Sequence, residues 1–530
     1  MDDVILAAYS KKYPNVSLNQ LKRVIHNTTT NLIQLSFKKS SNYMMKISID
    51  IIKEISKNLD IMTIIKLSQV SKLFRSGVKI INFTEIDSEN IKLTDKILNL
   101  PIFSDLQSLH IGKNPNITNQ GIARLNLIKL NINDNSMITD NGIRHMKKLK
   151  ELYLSDNPNI KDVSWITTLQ KLDVTGNSKI NNDSIKKLNL TELYATDNTK
   201  ITDVSLITTL KILHANEYSG INDQGIQNLN LIELNASNNK NITDVSWMTN
   251  LRILNASSSS GITDQGIINL NLIKLDASNN PKITNKGIIK LNLIELDASI
   301  NPNITDVSSI KTLKILHANE DSGINDVGIR NLNLIELDAY NNPKISDVSG
   351  MTNLQILHAG GSSEISTRGI KNLNLIQLDA TNNPNITDVS WMTNLQRLYA
   401  NDNSGITDKV IKKLNLTLLY ASRNPKIINV SSIHTLKILD ASDTSGINDQ
   451  GIKGLNLIEL NASNNPKITD VSSMKSLQIL YASGNSGIDD KGIKNLNLKY
   501  MNISKNPKIT TKKFNNSRPW SNLRYHFNEY

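Results

Sequence analysis

Four of the chain's eight histidines fall at one position of a recurring frame. Counted from the first leucine of L-x-x-L-x-[A/L/I], the fifth position holds six Asp, four His, five Tyr and five Asn across twenty copies. In the middle copies the run is Asp297, His317, Asp338, His358, Asp379, with Ile315 and Ile356 two residues ahead of the histidines. Stacked as strands about 4.8 Å apart, these residues would give each imidazole a carboxylate on either side. Opposite charge at that range favours the protonated ring and should raise both His pKa values. Such a row could be a stabilising charge ladder or the centre of a partner-binding face. A His–carboxylate metal site is a weaker fit, because consecutive parallel strands splay ligands along a line rather than around an ion. Cysteine is absent. That excludes thiol nucleophiles, disulfides, Cys-ligated zinc and a ubiquitin thioester.

The elements that must hold this row follow from the frame. Its first leucine recurs from Leu106 to Leu498 at intervals of 20 to 22 residues. Period-2 alternation turns the fourth and sixth residues inward and the third, fifth and seventh outward. An Asn three residues past the sixth position occurs in 15 of the 20 copies, where the chain turns and an amide can bond backbone groups of its own and the neighbouring coil. An inward Ile of Ile-Thr-Asp closes each coil, and each fully buried Leu or Ile contributes roughly 1.5–3 kcal/mol. The sixth position is Ala in every copy from Ala195 to Ala482, which brings the opposite wall close. A 20-residue form ending Asp-Val-Ser alternates with a 21-residue form that reads as one helical turn. The repeat resembles the leucine-rich repeat over about three quarters of the chain. The resemblance implies an α/β repeat, a curved solenoid with an inner parallel sheet on the order of 95 Å along its arc.

Composition agrees. The 530 residues are 38% apolar, 4% aromatic and rich in Asn, which suits a thin continuous core better than several globular ones. The net charge of +12 divides into +5 over 1–105, +4 over 106–510 and +3 over 511–530. The long middle is nearly neutral, so no phosphate-tracking stripe and no nucleic-acid partner are expected. The start, MDDVILAAYSKKYP, has the wrong charge and length for a secretory signal. No apolar run reaches a membrane span of about 18 residues, so an intracellular monomer without membrane attachment or cofactor is the expectation. Residues 511–530 break the frame and carry Phe514, Trp520, Tyr525, Phe527 and Tyr530, which suits a cap over the last coil. Residues 1–43 carry no legible motif.

Residues 44–80 have a different rhythm. Ile51, Ile52, Ile55 and Leu59 recur at helical spacing, as do Ile64, Leu67 and Val70. Two or three short amphipathic helices are the plain reading. The segment also resembles the F-box. Ile47 takes that family's leading Leu, Asp50 its acidic position, and Ile51, Ile52, Ile55 and Leu59 its aliphatic positions. Val70, Ser71, Lys72 and Phe74 stand for Val-Cys-Lys-x-Trp; Ser48 replaces the usual Pro, and Phe74 the Trp. An irregular repeat through Ile81, Phe83 and 93–103 joins this segment to the solenoid over 81–510. The combination resembles F-box/repeat proteins of giant DNA viruses of amoebae, in keeping with the Asn, Ile and Lys usage of an AT-rich genome. It implies a non-enzymatic adaptor of a cullin-type (SCF) ubiquitin ligase, docking on a Skp-family protein through Ile47, Ile51, Ile52, Ile55, Leu59, Leu67, Val70, Lys72 and Phe74. The concave residues Asp297, His317, Asp338, His358, Asp379, Ile315 and Ile356 would hold a target protein. A plain interaction module with a helical N-terminal cap is the alternative. An enzyme is disfavoured, because an open solenoid face does not exclude water.

Overall fold

The computed structural model describes residues 53, 56, 59, 61–70, 75, 77–84, 93–494 and 496–510. The chain divides into two units, 1–231 and 232–530. Within each, coils stack in chain order and present one short strand apiece to a parallel sheet.

In the first unit the sheet starts with an irregular two-residue strand, Asn82–Phe83, paired in parallel with Ser108–His110. The strands Lys129–Asn131, Glu151–Tyr153, Lys171–Asp173, Glu192–Tyr194 and Ile212–His214 follow, each paired with the one before it. The second unit runs in the same way from Glu233–Asn235 to Tyr500–Asn502. Every strand of the twenty regular copies occupies positions three to five of the frame, and register never slips. The cause is period-2 alternation. The middle residue is an inward Leu (Met501 in the last strand), and a slip of one residue would expose that whole column.

The core is as thin as composition implies. The inward leucines Leu296, Leu316 and Leu337, the small Ala298, Ala318 and Ala339, and the closing Ile304, Ile324 and Ile345 are all fully buried. The convex wall is less uniform than expected. Single α-turns occur at Asp264–Ile267 and Asn285–Ile288, tighter 3-10 turns at Gln224–Ile226 and Gln450–Ile452, and only turns around Gly328 and Gly369. All serve to drop an Ile into the core.

Two backbone devices recur. Position eight is left-handed in all twenty copies, from Lys113 (φ 59°) to Lys505 (φ 60°). Asn, Asp and Gly adopt that conformation readily, yet one copy places the β-branched Ile300 there (φ 55°). The second device is the buried amide after it. Asn301 donates through Nδ2 to the carbonyls of Ala277 (3.0 Å), Asn280 (2.8 Å) and Ile283 (3.2 Å) of the preceding coil, and its Oδ1 accepts the Asn303 N–H (3.0 Å). The expected Asn ladder needs one correction. Asn177, Asn403 and Asn485 are exposed, and the buried polar residue of those 21-residue copies is the next one, Ser178, Ser404 or Ser486. Its hydroxyl accepts the N–H of the closing Ile two residues on, at 3.4 Å in each case. Repeat length is not the cause, since Asn280, also in a 21-residue copy, is fully buried.

Candidate functional site

Two regions bear on function. In the first, a helix over Ile61–Val70, here α1, buries Ile64, Ile65 and Ser68 and exposes Lys66 and Gln69. Arg75 donates from Nε to the Ser68 carbonyl and from Nη2 to the Gln69 carbonyl, both at 2.9 Å. That places a cation on the unsatisfied end of the helix, where the dipole favours it. Leu67 and Leu59 are partly buried. Val70 ends α1, while Ile47, Ile51, Ile52, Ile55, Lys72 and Phe74 lie outside the described residues, as does the aromatic stretch 511–530. Beyond the helix the chain is sewn directly onto the first coil. Ile80 N–H donates to the Ile102 carbonyl (2.8 Å), and Lys79 Nζ donates to the Pro101 carbonyl (2.9 Å) and Ser104 hydroxyl (2.7 Å). Phe83 meets Phe103 edge-on at 6.4 Å, and both are fully buried.

The second region is the outward face of the sheet in the second unit. Strand pairing sets Asp297 beside His317, His317 beside Asp338, Asp338 beside His358 and His358 beside Asp379. The same registers put Glu336 between Ile315 and Ile356. All seven predicted residues therefore share one surface. The imidazoles lean one way: His317 Nδ1 lies 3.9 Å from Asp338 Oδ2, and His358 Nδ1 lies 3.9 Å from Asp379 Oδ2. At that length these are ion-pair contacts rather than hydrogen bonds. The side chains are more enclosed than an open platform implies, 27% and 19% exposed in the first pair and 13% and 14% in the second.

Burial opposes the charged form of His317, but Asp338 and Asp297 outweigh it and the pKa is raised. His358 behaves alike, with Asp379 and Asp338 overcoming desolvation. Asp338 is pulled down against its own burial by the two imidazoles, by Asn319 Nδ2 (2.8 Å) and by the Tyr340 N–H (2.9 Å). Elsewhere on the face Lys274 pairs with Glu295 at 2.8 Å, but two carboxylates are pushed the other way. Burial and the neighbouring Asp297 push Asp276 up, and burial with Asp440 pushes Glu459 up.

Charge alone does not account for the carboxylates. Oδ1 of Asp297, Asp338 and Asp379 accepts the backbone N–H of Ser299, Tyr340 and Thr381, two residues on, at 2.8–2.9 Å. Asn235 and Asn461 do the same at 3.0 and 3.1 Å. This is an Asx turn, which Asp and Asn make equally. The free exchange of Asp with Asn at position five was the signal for it in the sequence. Among the described residues, no group of three or more His, Asp or Glu is placed to hold a metal ion, and no helix is long and apolar enough to cross a membrane.

The F-box domain family matches residues 44–86, running six residues past the expected boundary into the Asn82–Phe83 strand. No curated protein matches the chain. Among solved structures it is similar to an internalin of Listeria monocytogenes, at 23% identity over 62% of this chain and 91% of that one (TM-score 0.34). It is also similar to the Rad7 and Elc1 complex of yeast, at 15% identity, 64% and 96% coverage and a TM-score of 0.36. A leucine-rich-repeat protein of Leptospira interrogans matches at 18% identity, 80% and 95% coverage and a TM-score of 0.25. The chain thus combines an F-box domain with a leucine-rich-repeat solenoid of parallel strands.

Proposed function

We propose that this protein is the substrate-recruiting adaptor of a cullin-type ubiquitin ligase. Its F-box docks on a Skp-family protein, and its repeats hold a target protein on the sheet face around His317 and His358. The observation that carries this reading is the F-box match at 44–86, continued by hydrogen bonds from Lys79 and Ile80 onto the first coil. A short, bonded junction ties the docking segment to the first coil of the repeats that would hold the target. The chain recruits rather than catalyses: without cysteine it cannot carry ubiquitin itself. It acts as a monomer. If the protein comes from a giant virus of amoebae, as its composition and architecture favour, it works in the host cytoplasm.

The test is binding of a purified Skp-family protein to the full chain, measured by interferometry. Ile51→Asp or Leu59→Asp is expected to abolish it while the repeats stay folded. Binding that survives both substitutions overturns the adaptor reading. A second reading, an interaction module without a ubiquitin role, is favoured by the burial of Ile64 and Ile65, since α1 then serves as a cap. In that case the same variants lower the melting temperature of the first repeats, and no Skp-family protein binds the parent chain.

A further inference from the structure

Position two of the frame lies just ahead of each strand and belongs to neither region described above. Through five successive coils of the second unit it reads Ile294, Lys314, Ile335, Gln355, Ile376. The three isoleucines are 47%, 39% and 36% exposed, a regular apolar series on a surface where an isolated exposed Ile would need no explanation. Their backbones are fixed. The Ile294 carbonyl accepts from Lys314 N–H (2.8 Å) and Ile315 N–H (3.1 Å), and the Ile335 carbonyl accepts from Gln355 and Ile356 at the same distances. From Ile294 to Ile376 the stripe is therefore held at an interval of two coils along one edge of the sheet, with Ile273 (40% exposed) extending it by one coil at its start.

That interval selects a ligand geometry. Successive isoleucines stand two strand spacings apart, about 9.6 Å. Residues seven apart on an α-helix are separated by about 10.5 Å, whereas same-side residues of an extended strand repeat at about 6.8 Å. Charge narrows the choice. Lys314 sits midway between Ile294 and Ile335, opposite the third or fourth residue of a seven-residue helical period. Glu336, next to Ile335, borders the flank that faces the sheet. We propose that this edge binds an amphipathic helix of the target protein, laid along the stack. Its apolar residues recur every seven, an acidic residue faces Lys314, and a basic residue lies on the flank toward Glu336. The inference rests on the repeats holding a target protein and is independent of the F-box.

The experiment is selection of displayed random peptides of about 20 residues, long enough for nearly three seven-residue helical periods, on the full chain. The expected winners carry apolar residues seven apart with an acid between the first two. Their affinity should fall about tenfold or more, over 1.4 kcal/mol, in the triple variant Ile294→Asp, Ile335→Asp, Ile376→Asp. A milder triple change to Thr, which position two already holds at Thr191 and Thr417, should act in the same direction and guards against misfolding. Winners with period-two alternation, no enrichment, or affinity unchanged in both triple variants would overturn the proposal. So would a concentration-dependent dimer in sedimentation that the triple variants abolish, since the edge would then bind a second copy of this chain. Winners lost instead with His317→Ala and His358→Ala would leave target binding on the sheet face and remove it from this edge.

Discussion

The outward faces of the two units are built on one frame but differ in how most of their charges are partnered. In the first unit, cations and carboxylates alternate at position three. Lys129 pairs with Glu151 at 3.0 Å and Lys171 with Glu192 at 2.7 Å. Tyr153 and Tyr194 donate to the same carboxylates and lie beneath the ammonium groups, Lys171 Nζ being 4.8 Å from the Tyr194 ring centre. Burial disfavours every charge there, yet the partners hold Lys129 and Lys171 above the usual lysine value and Glu151 below the usual carboxylate value. In the second unit one such pair recurs, Lys274 with Glu295 at 2.8 Å, but from Asp297 to Asp379 the carboxylates of position five are set beside histidines instead. A face of fixed pairs keeps one charge state across the physiological range, whereas a face of Asp and His changes charge within it.

The interiors differ too. Position six is Ile111, Ile132, Leu154 and Val174 in the first four copies and Ala from Ala195, still in the first unit, to Ala482, all fully buried. Leu154→Ala should therefore open a cavity and cost about 2–5 kcal/mol in urea denaturation. Ala339→Leu should fail for the opposite reason, overpacking, at about 1–3 kcal/mol. If either swap is neutral, the two walls are not spaced differently and this part of the comparison breaks.

Ile300→Asn sharpens it with a gain. The left-handed position eight holds no β-branched residue in the first unit, and Asn279, Asn341 and Asn382 show what the second unit tolerates. Relief of the Cβ clash should add about 1 kcal/mol, read as a higher urea midpoint with unchanged slope.

Smaller effects separate the charges. Lys171→Met should cost up to about 1 kcal/mol at low salt and less at high salt, with little pH dependence between 6 and 8. The histidines should do the reverse. Their folded pKa values are raised, so their contribution is complete below the unfolded value near 6.5 and is lost as pH rises through the folded value. Asp338 is depressed, so its share is present above the unfolded value near 3.8 and is lost as pH falls through the folded one. The stability lost in His317→Gln with His358→Gln should accordingly be largest around pH 5–6 and shrink toward pH 8. An equal loss at both ends would mean that the imidazoles act by packing alone.

Much of this was legible in the residues because the frame repeats. Strand positions, the inward Leu and Ala columns and the Asp–His juxtaposition all follow from period and alternation. What was not legible depends on bonds between coils. The exchange of Asn177 for Ser178 as the buried group shows only in the bonds of that turn. The Asx role of Asp297 hides behind its charge, and the edge of Ile294, Ile335 and Ile376 emerges only with their exposure. In the F-box segment Leu59 and Leu67 are partly buried, and Ile51 and Ile55 lie outside the described residues.

The buried asparagines have a direction. Asn135, Asn157, Asn301 and Asn465 each donate to carbonyls of the coil that precedes them in the chain, as Lys282, Lys344 and Lys467 do from the loop beside them. A chain emerging from the ribosome thus meets each new amide with acceptors already in place. Growth from the N-terminal end never leaves these donors unanswered, and deletion from that end always would. The stack is polar in time as well as in space, and C-terminal truncations should be tolerated where N-terminal ones are not.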